Sequence, residues 1–258
     1  MLRAFVVSIV AIAAAACRPA EPESSGPAAV TGTAAAGATA GPTDAPREDD
    51  AAPASFEGRT IAATMSHFGA DWLTRPEREQ EEDPATLHRV LALQPGQVAC
   101  DLGAGNGYHS LRMAAAVGPR GRVVASDLQP EMLSLLRERV AAAGVTNVES
   151  VLATQQDPGL PRRGCDLILV VDVYHELAQP EAVLAALRQA LAPGGRLVLV
   201  EFRGEDDAVP IKPEHKMTKA QIRRELEPRG FSLVREFDGL PWQHVMMFGR
   251  SDESSAPR

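Results

Sequence analysis

Cysteines are few in this chain, and its 26 basic residues are outnumbered by 34 acidic ones. Its three cysteines, Cys17, Cys100 and Cys165, are too few for the disulfide framework of a small secreted domain. Cys100 lies near the end of one predicted strand and Cys165 at the start of another. We therefore expect them to be more than about 10 Å apart, too far for a disulfide bond. A formal net charge of −8 disfavours nucleic acid as a partner.

A hydrophobic run long enough to span a bilayer comfortably is missing from the start of the chain. About thirteen apolar or small residues follow Arg3, and three alanines lead directly to Cys17. The segment 1–17 resembles a bacterial lipoprotein signal peptide, in which the cysteine becomes the lipidated first residue. This resemblance implies an exported protein that is lipid-anchored to a membrane of the cell envelope. An ordinary cleaved signal and an uncleaved anchor are the alternatives.

Aromatic residues are absent from the segment that follows the signal. Residues 18–54 are largely Ala, Pro, Gly, Thr, Ser, Asp and Glu, and cannot bury enough apolar area to offset the entropy of ordering. We interpret this segment as a disordered tether, or alternatively as a low-complexity tail without an anchoring role. The remainder divides into N-terminal helices at 55–94, a main domain at 95–250 and a disordered tail at 251–258.

The main domain opens with a glycine-rich loop, Asp101-Leu-Gly-Ala-Gly-Asn-Gly107. An apolar strand precedes the loop, and a helical pattern begins at Tyr108. Glycines in such a turn tolerate positive φ and let a ligand lie against the backbone near the unpaired N–H groups of the helix. The dinucleotide fingerprint G-x-G-x-x-G needs a last glycine where Tyr108 stands, so a nicotinamide cofactor is disfavoured. A tight turn without a ligand is the simpler alternative.

The acid-x-Gly-x-Gly-x-Gly pattern resembles the first motif of the class I S-adenosylmethionine-dependent methyltransferases. The resemblance implies S-adenosyl-L-methionine as the cofactor. It also implies that the methionine portion of the cofactor is faced by residues of this loop, namely Asp101, Gly103, Ala104, Gly105 and Gly107.

Further cofactor contacts are expected at the ends of the next two strands. The strand 122–127 ends in Asp127, and an acid there in nucleotide-binding α/β folds accepts hydrogen bonds from ribose hydroxyls. Capping of the following helix is the alternative role of Asp127. By resemblance, Leu128 packs on the adenine. Related methyltransferases carry an acid near Thr154 for the adenine amino group, so its absence here leaves Thr154, Gln155 or backbone to serve.

The strand Cys165–Val171 is apolar throughout most of its length, as expected for a central parallel strand, and it leads into Asp172-Val-Tyr-His-Glu-Leu177. By resemblance, Asp172 lies beside the sulfonium or amino group of the cofactor. His175 is our candidate general base, with Tyr174 orienting the acceptor and Glu176 orienting His175. A helix-capping or space-filling role is the alternative for His175. We expect His67 and His244 at the surface or in packing.

The order of these elements implies a Rossmann-like class I methyltransferase sandwich of the α/β class. We expect a mostly parallel seven-stranded sheet with a C-terminal antiparallel hairpin and helices on both faces. Helices are predicted at 56–80, 84–93, 108–117, 130–143, 180–191 and 218–227, and strands at 98–101, 122–127, 147–152, 165–171, 196–201, 231–237 and 243–248. The N-terminal helices either form a lid over the cofactor or only cover the sheet.

A metal site is not expected from the sequence. Asp172, His175 and Glu176 are close together, but no second group of ligands has an evident metal-binding spacing. A local run of basic residues is either a solvated helix face or a site for an anionic substrate. It comprises Lys212, His215, Lys216, Lys219, Arg223 and Arg224.

These observations predict a methyltransferase that acts on a small-molecule acceptor and contacts a membrane only through its lipid anchor. The acceptor and the oligomeric state cannot be deduced from the sequence. Because S-adenosylmethionine is made in the cytosol, export raises the question of cofactor supply. That question motivates an alternative, a non-catalytic sensor lipoprotein on a methyltransferase scaffold. A nicotinamide oxidoreductase is a third interpretation, which the loop spacing opposes.

Overall fold

The computed structural model describes residues 55–252. The predicted signal peptide, the predicted tether and residues 253–258 of the predicted tail lie outside the described residues. Residues 251 and 252, which we expected to be disordered, form a turn in which Asp252 pairs with Arg188 at 3.0 Å.

Strands and helices alternate through most of the described chain. The strands are β1 (Ser55–Phe56), β2 (Arg59–Thr60), β3 (Val98–Leu102), β4 (Arg122–Asp127), β5 (Val148–Leu152), β6 (Cys165–Val171), β7 (Leu191–Arg203), β8 (Lys216–Met217), β9 (Phe231–Phe237) and β10 (Gln243–Arg250). The α-helices are α1 (Arg78–Glu81), α2 (Pro84–Leu91), α3 (Tyr108–Val117), α4 (Pro130–Ala142), α5 (Pro180–Ala190) and α6 (Lys219–Leu226). Short 3₁₀ helices cover His67–Thr74, Tyr174–Glu176, Pro213–His215 and Glu227–Arg229.

The main sheet has the strand order β5-β4-β3-β6-β7-β10-β9, and the two-residue β8 lies beside β7. Strands β3 to β7 are parallel, whereas β10 runs antiparallel to both of its neighbours. The predicted α/β architecture with a C-terminal antiparallel hairpin is confirmed, and β8 adds to the seven expected strands. Strand order reverses between β3 and β6, which is where open α/β sheets form a ligand-binding crevice.

The core consists of two apolar layers on opposite faces of β6. Ile168 and Val170 face one layer, and Leu167 and Leu169 face the other, because successive side chains of a strand alternate. Helices α5 and α6 contribute to the first layer, and α2 and α3 to the second. All four of these β6 side chains are fully buried, as the apolar run predicted.

The segment predicted as a helix at 56–80 is different in the structure. Glu57 and Gly58 have φ values of 47° and 88° and form the tight turn between β1 and β2. The predicted helix therefore does not form at its expected start. Ser66 then caps a 3₁₀ helix at His67–Thr74, and only α1 is α-helical in this region. In this segment Phe68 is 89% exposed and Trp72 is 48% exposed.

The prediction that Cys100 and Cys165 are too distant to pair was wrong. The two cysteines form a disulfide bond with a Cα–Cα distance of 5.9 Å. The prediction counted distance along the strands, but β3 and β6 are direct neighbours in the sheet, and both side chains enter the same core layer. The bond therefore crosses the two strands at the switch point.

Within residues 55–252, none of the helices combines the length and the apolar character that a membrane crossing requires.

Candidate active site

The glycine loop after β3 adopts the backbone conformation that its sequence predicted. The φ values of Gly103, Gly105 and Gly107 are 69°, 53° and 81°, in the left-handed region that favours glycine. A Cβ on Gly103 would lie 2.4 Å from a methyl group of Val173, and one on Gly105 would lie 2.6 Å from Leu73. Gly103 and Gly105 line a cavity of about 610 Å³, so bare backbone forms part of its wall.

Asp127 connects the glycine loop to the end of β4. Its Oδ2 accepts a hydrogen bond from the Gly105 N–H at 2.8 Å, and its Oδ1 accepts one from the Gln129 N–H at 2.9 Å. The carboxylate also lines the cavity, and burial raises its pKa above the ordinary value. Asp127 therefore both accepts a hydrogen bond at the start of α4 and lines the cavity.

Three of the predicted loop contacts lie away from the cavity wall. Asp101 is buried and accepts a hydrogen bond from the Ser110 hydroxyl at 2.6 Å, so its carboxylate fixes α3 to β3. Gly107 lies against Leu136 of α4, and Ala104 packs in a small apolar cluster with α4. These three residues therefore shape the loop instead of lining the cavity, because the chain turns away from the cavity between the glycines.

The predicted adenine side of the cavity is mostly apolar. Leu128 is 39% exposed although it is a large apolar residue, and it lines the cavity with Met132. Thr154 and Gln155 line the same side. The Thr154 hydroxyl accepts a hydrogen bond from the Asp157 N–H at 2.9 Å, so that atom is already engaged in a local turn.

Asp172 stands at the end of β6 in an unusual environment. It has a φ of 52°, its Oδ2 accepts a hydrogen bond from Gln243 at 2.6 Å, and its buried Oδ1 has no hydrogen-bond partner among the described residues. Burial and the nearby charges of Glu82 and Glu201 raise the pKa of Asp172 well above its usual range. Asp172, Glu82 and Arg78 all line the cavity, so this corner presents two carboxylates and one guanidinium.

The candidate base His175 is oriented by Glu201 of β7. Its Nδ1 lies 2.6 Å from Glu201 Oε2, and the second Glu201 oxygen accepts a hydrogen bond from the Tyr174 N–H at 3.0 Å. Burial lowers the pKa of His175, but the charge and hydrogen bond of Glu201 outweigh that effect and raise it overall. Glu176, the orienting residue that we predicted, lies 3.9 Å from His175 Nε2 instead. The sequence placed Glu201 at a strand end but gave no pairing with His175.

Tyr174 does not reach the cavity. Its ring is fully buried, and its hydroxyl donates a hydrogen bond to Glu225 of α6 at 2.8 Å. Arg59 binds the same carboxylate and also donates to the Tyr174 and His175 carbonyl oxygens. The predicted acceptor-orienting role of Tyr174 is therefore wrong, because in a one-turn 3₁₀ helix its side chain points away from that of His175. Tyr174 instead anchors the segment that carries His175.

His215 completes a cluster that the sequence did not reveal. Its Nδ1 lies 3.1 Å from His175 Nε2 and 3.9 Å from Glu176 Oε1. Burial raises the pKa of Glu176 to about 7. All three side chains line the cavity. His215 stands forty positions beyond His175 in the sequence and ends the 3₁₀ helix directly before β8. The pairing of β8 with β7 brings it near His175.

The remaining basic residues divide between the cavity and the surface. Lys212 lines the cavity beside His215. Lys219 pairs with Glu236 and Asp238, and Arg223 pairs with Glu227, all on the exterior. His244, expected at the surface or in packing, is completely buried.

The N-terminal segment crosses the open side of the cavity. Ala63, Thr64, Met65, Trp72, Leu73 and Arg75 contribute to the lining. Gln129 holds this segment by accepting from the His67 N–H and donating to the Met65 carbonyl, and Asn106 donates to the Ala70 carbonyl. This segment therefore forms part of the cavity wall, and the interpretation that it is a lid over the cofactor stays a prediction.

Comparison with known proteins supports the same fold. Residues 99–195 match the family model described as a methyltransferase domain. A solved S-adenosylmethionine-dependent methyltransferase from Aquifex aeolicus superposes with a TM-score of 0.68 at 24% identity, over 72% of this chain and 98% of that one. A putative type 11 methyltransferase from Sulfolobus solfataricus gives a TM-score of 0.57 at 16% identity, over 69% of this chain and 97% of that one. The fold is that of a class I methyltransferase.

Two curated relatives agree with this assignment. A protein-L-isoaspartate O-methyltransferase from Aeropyrum pernix is 35% identical over 59% of this chain and 58% of its own length. A ubiquinone/menaquinone biosynthesis C-methyltransferase from Shewanella frigidimarina is 32% identical over 44% of this chain and 45% of its own length. The chain spans about half the length of these relatives. The matches support S-adenosyl-L-methionine as the cofactor of the methyltransferase domain.

The cavity fits such a cofactor on features of its own. Gly103 and Gly105 line the cavity with bare backbone, and a Cβ on either would collide with Val173 or Leu73 of the same wall. Glu82 in this corner is paired with Arg78 at 2.6 Å and Arg75 at 2.9 Å, so the partnerless Asp172 Oδ1 is the atom that suits a sulfonium or ammonium group of a ligand. Asp127 offers a carboxylate for sugar hydroxyls, and Leu128 offers an apolar surface for a base.

Proposed function

We propose that the chain is an exported, lipid-anchored methyltransferase that transfers the methyl group of S-adenosyl-L-methionine to a small-molecule acceptor. The observation that carries this proposal is a single cavity lined both by the glycine loop with Asp127 and by the His175 cluster. Its volume of about 610 Å³ is within the range of small-molecule sites, and its wall is largely apolar. The two curated relatives name different acceptors, so neither name identifies the acceptor here.

The cofactor end of the site would be held by residues of three strand ends. Gly103 and Gly105 leave room for the methionine portion, Asp127 accepts hydrogen bonds from the ribose, and Asp172 balances the positive charge. Bound there, the cofactor supplies an activated methyl group. The work of the chain is then largely to align the acceptor for an in-line displacement, for which positioning contributes on the order of 7–11 kcal/mol.

The acceptor end is the His175 cluster. With Nδ1 hydrogen-bonded to Glu201, His175 lines the cavity with its Nε2 beside His215, and an acceptor hydroxyl or similar group that takes the place of His215 at Nε2 can lose a proton to it. Glu201 fixes the tautomer and the orientation of the ring, as a carboxylate does in other His–carboxylate pairs. This arrangement favours an acceptor that must lose a proton over one that is already a free nucleophile.

The disulfide bond supports the export part of the proposal. Structural disulfides persist in oxidising compartments such as the bacterial periplasm and are rare in the cytosol. Cys100 and Cys165 are bonded inside the domain, whereas Cys17 follows the lipoprotein-like signal. Both features are consistent with a mature protein outside the cytoplasmic membrane, where the cofactor has to be supplied by diffusion or transport.

A methyl-transfer assay tests the proposal. The full chain is incubated with methyl-labelled S-adenosylmethionine and a panel of phenols, quinols, thiols and carboxylic acids, and S-adenosylhomocysteine formation is measured. We expect turnover with a protic acceptor. His175→Gln should lower kcat by about 10²–10⁴-fold, the usual contribution of acid–base catalysis, and leave the Kd of S-adenosylhomocysteine unchanged. Full activity in His175→Gln would contradict the assigned role.

A further inference from the structure

Three potential metal-ligand atoms converge at the acceptor end of the cavity. His175 Nε2 and His215 Nδ1 are 3.1 Å apart, and each lies 3.9 Å from Glu176 Oε1. Within residues 55–252, this is the one group of three or more His, Cys, Asp or Glu side chains with a geometry that could hold a metal ion. Two imidazoles and one carboxylate are a common ligand set for Zn²⁺ and other divalent first-row metals.

The separations fit a small coordination sphere. Zn–N and Zn–O bonds of about 2.0–2.2 Å at tetrahedral angles place ligand atoms roughly 3.3–3.5 Å apart. The observed distances of 3.1 Å and 3.9 Å lie on either side of that value. A shift of a few tenths of an ångström in the partly exposed His215 and Glu176 side chains would equalise them.

The hydrogen-bond geometry also favours a cation at this point. A hydrogen bond between His175 Nδ1 and Glu201 leaves Nε2 of the same ring directed toward His215 Nδ1, 3.1 Å away. A metal ion accepts lone pairs from both imidazoles at once, with the His215 proton on Nε2. The alternative is a plain hydrogen bond between the two rings, which predicts no metal binding.

Glu201 supplies the second shell that metal-binding histidines usually have. A carboxylate on the far nitrogen fixes the ring and raises its basicity as a ligand. Glu201 is fully buried and is itself fixed by the Tyr174 N–H, so the first histidine is held before any metal arrives. Arg59 and Ala62 bind the His175 carbonyl oxygen and hold the backbone of the same residue.

We propose that His175, Glu176 and His215 bind one divalent transition-metal ion, with Zn²⁺ as the representative ion, at the acceptor end of the cavity. Three protein ligands leave at least one coordination position open, as in catalytic zinc sites. That position faces the cavity, because all three side chains line it.

The binding of metal rests on this geometry alone, whereas a role in catalysis rests on the proposed function. An acceptor oxygen in the open position would release its proton to solvent more readily, as water does on zinc, where the pKa of the bound water falls to about 7. The O–H bond would break with its proton passing to water. The new O–C bond would form as the bond between the methyl carbon and the sulfonium sulfur breaks, and S-adenosylhomocysteine would be the leaving group. In the metal-loaded protein His175 is thus a ligand, and direct proton transfer to its Nε2 belongs to the metal-free protein.

Zinc binding to the full chain tests the proposal directly. Protein without a polyhistidine tag is stripped with a chelator and titrated with Zn²⁺ against a chromophoric competitor, and Co²⁺ is used as a spectroscopic probe. We expect one tightly bound Zn²⁺ per chain and a visible Co²⁺ spectrum of low-coordinate type. Mg²⁺, which prefers oxygen ligands and octahedral geometry, should not compete.

The variants separate the site from adventitious binding. His215→Ala removes a ligand at a partly exposed position and should weaken Zn²⁺ binding more than 100-fold, beyond the roughly 10–100-fold loss expected for the second-shell variant Glu201→Gln. His67→Ala is the matched control, because its ring lies in a tilted contact with the exposed Phe68 and is not among the residues that line the cavity. It should bind Zn²⁺ like the wild type.

Two results would overturn the proposal: no tight Zn²⁺ binding by the wild type, or equal binding by His215→Ala and the wild type. Calorimetry with S-adenosylhomocysteine on the same samples keeps this outcome distinct from failure of the proposed function. Cofactor binding without metal binding rejects the metal site alone, and loss of cofactor binding in the wild type rejects the methyltransferase proposal.

Discussion

Single carboxylates perform different tasks in this cavity according to what each one contacts. Asp127 accepts hydrogen bonds from two backbone N–H groups and also lines the cavity. Asp101 accepts a hydrogen bond from the Ser110 hydroxyl inside the domain. Asp172 has one buried oxygen without a hydrogen-bond partner among the described residues. Their residue type and strand-end positions were evident from the sequence. Their orientations depend on contacts with α3, α4 and β10, and sequence spacing does not specify those contacts.

The first prediction at this scale concerns Asp127. Asp127→Ala should weaken S-adenosylhomocysteine binding by about 10- to 100-fold, because hydrogen bonds to a charged group contribute about 1.5–3 kcal/mol. Calorimetry measures this directly. The exposed Glu131→Ala on α4 serves as the control and should bind normally. Equal affinity in the two variants would remove Asp127 from the cofactor site.

The second prediction concerns the pH dependence of stability through Asp101. Burial raises the pKa of Asp101 to about 6, above the ordinary value of 3.8. A raised pKa means that the native state holds the proton of Asp101 more tightly than the unfolded state does. The protonated Asp101 therefore stabilises the fold fully below pH 3.8, and this stabilisation is lost as the pH rises through about 6. Asp101→Asn should abolish that loss, which is on the order of 3 kcal/mol.

Denaturant unfolding at several pH values checks this expectation. Between pH 4 and pH 7 the wild type should lose stability relative to Asp101→Asn, while the exposed variant Asp71→Asn should follow the wild type. Parallel pH profiles for the wild type and Asp101→Asn would show that Asp101 titrates normally in the folded protein.

At the scale of elements, the boundaries of helices and strands were predicted correctly where the hydrophobic periodicity and the residues that end it lie close together in the sequence. The boundaries of α3, β4, β6 and β9 were predicted correctly, because apolar runs or helical spacing stop at glycine, proline or an acid. The structure of segment 56–80 was not predicted correctly. It contains a hairpin of two-residue strands and a 3₁₀ helix, and neither produces a long periodic pattern in the sequence. The disulfide and His215 were missed for one reason: both depend on which strands are neighbours.

The disulfide between β3 and β6 gives the prediction at this scale. It closes a loop with a sequence separation of 65 residues, so the double variant Cys100→Ala/Cys165→Ala should lose about 2–4 kcal/mol of unfolding free energy. Denaturant titration with and without reductant measures the effect. Reductant should destabilise the wild type and leave the double variant unchanged. A wild type that is insensitive to reductant, with both thiols free on unfolding, contradicts the bond.

For the molecule as a whole, the proposal joins a methyltransferase domain to an export signal. Cys17 lies outside the described residues, so its modification is a prediction from the sequence alone. We expect that expression in a bacterium yields a mature chain starting at lipidated Cys17 and sedimenting with membranes. Mass spectrometry of the N-terminal peptide and palmitate labelling check this.

The cysteine variants provide the matched comparison for that experiment. Cys17→Ser should abolish labelling and release the chain from the membrane fraction, whereas Cys100→Ala/Cys165→Ala should remain labelled. Labelling that persists in Cys17→Ser, or a chain that retains its original N-terminus in the cytosolic fraction, would refute the lipoprotein interpretation.

The most direct test of the central claim is a crystal structure of the full chain with S-adenosylhomocysteine. The account predicts electron density for the ligand against the backbone of Gly103 and Gly105, with both sugar hydroxyls on Asp127 and the base beside Leu128. Density for the ligand elsewhere, or a cavity that excludes it while the protein remains folded, would contradict the assignment of this cavity as a methyl-donor site.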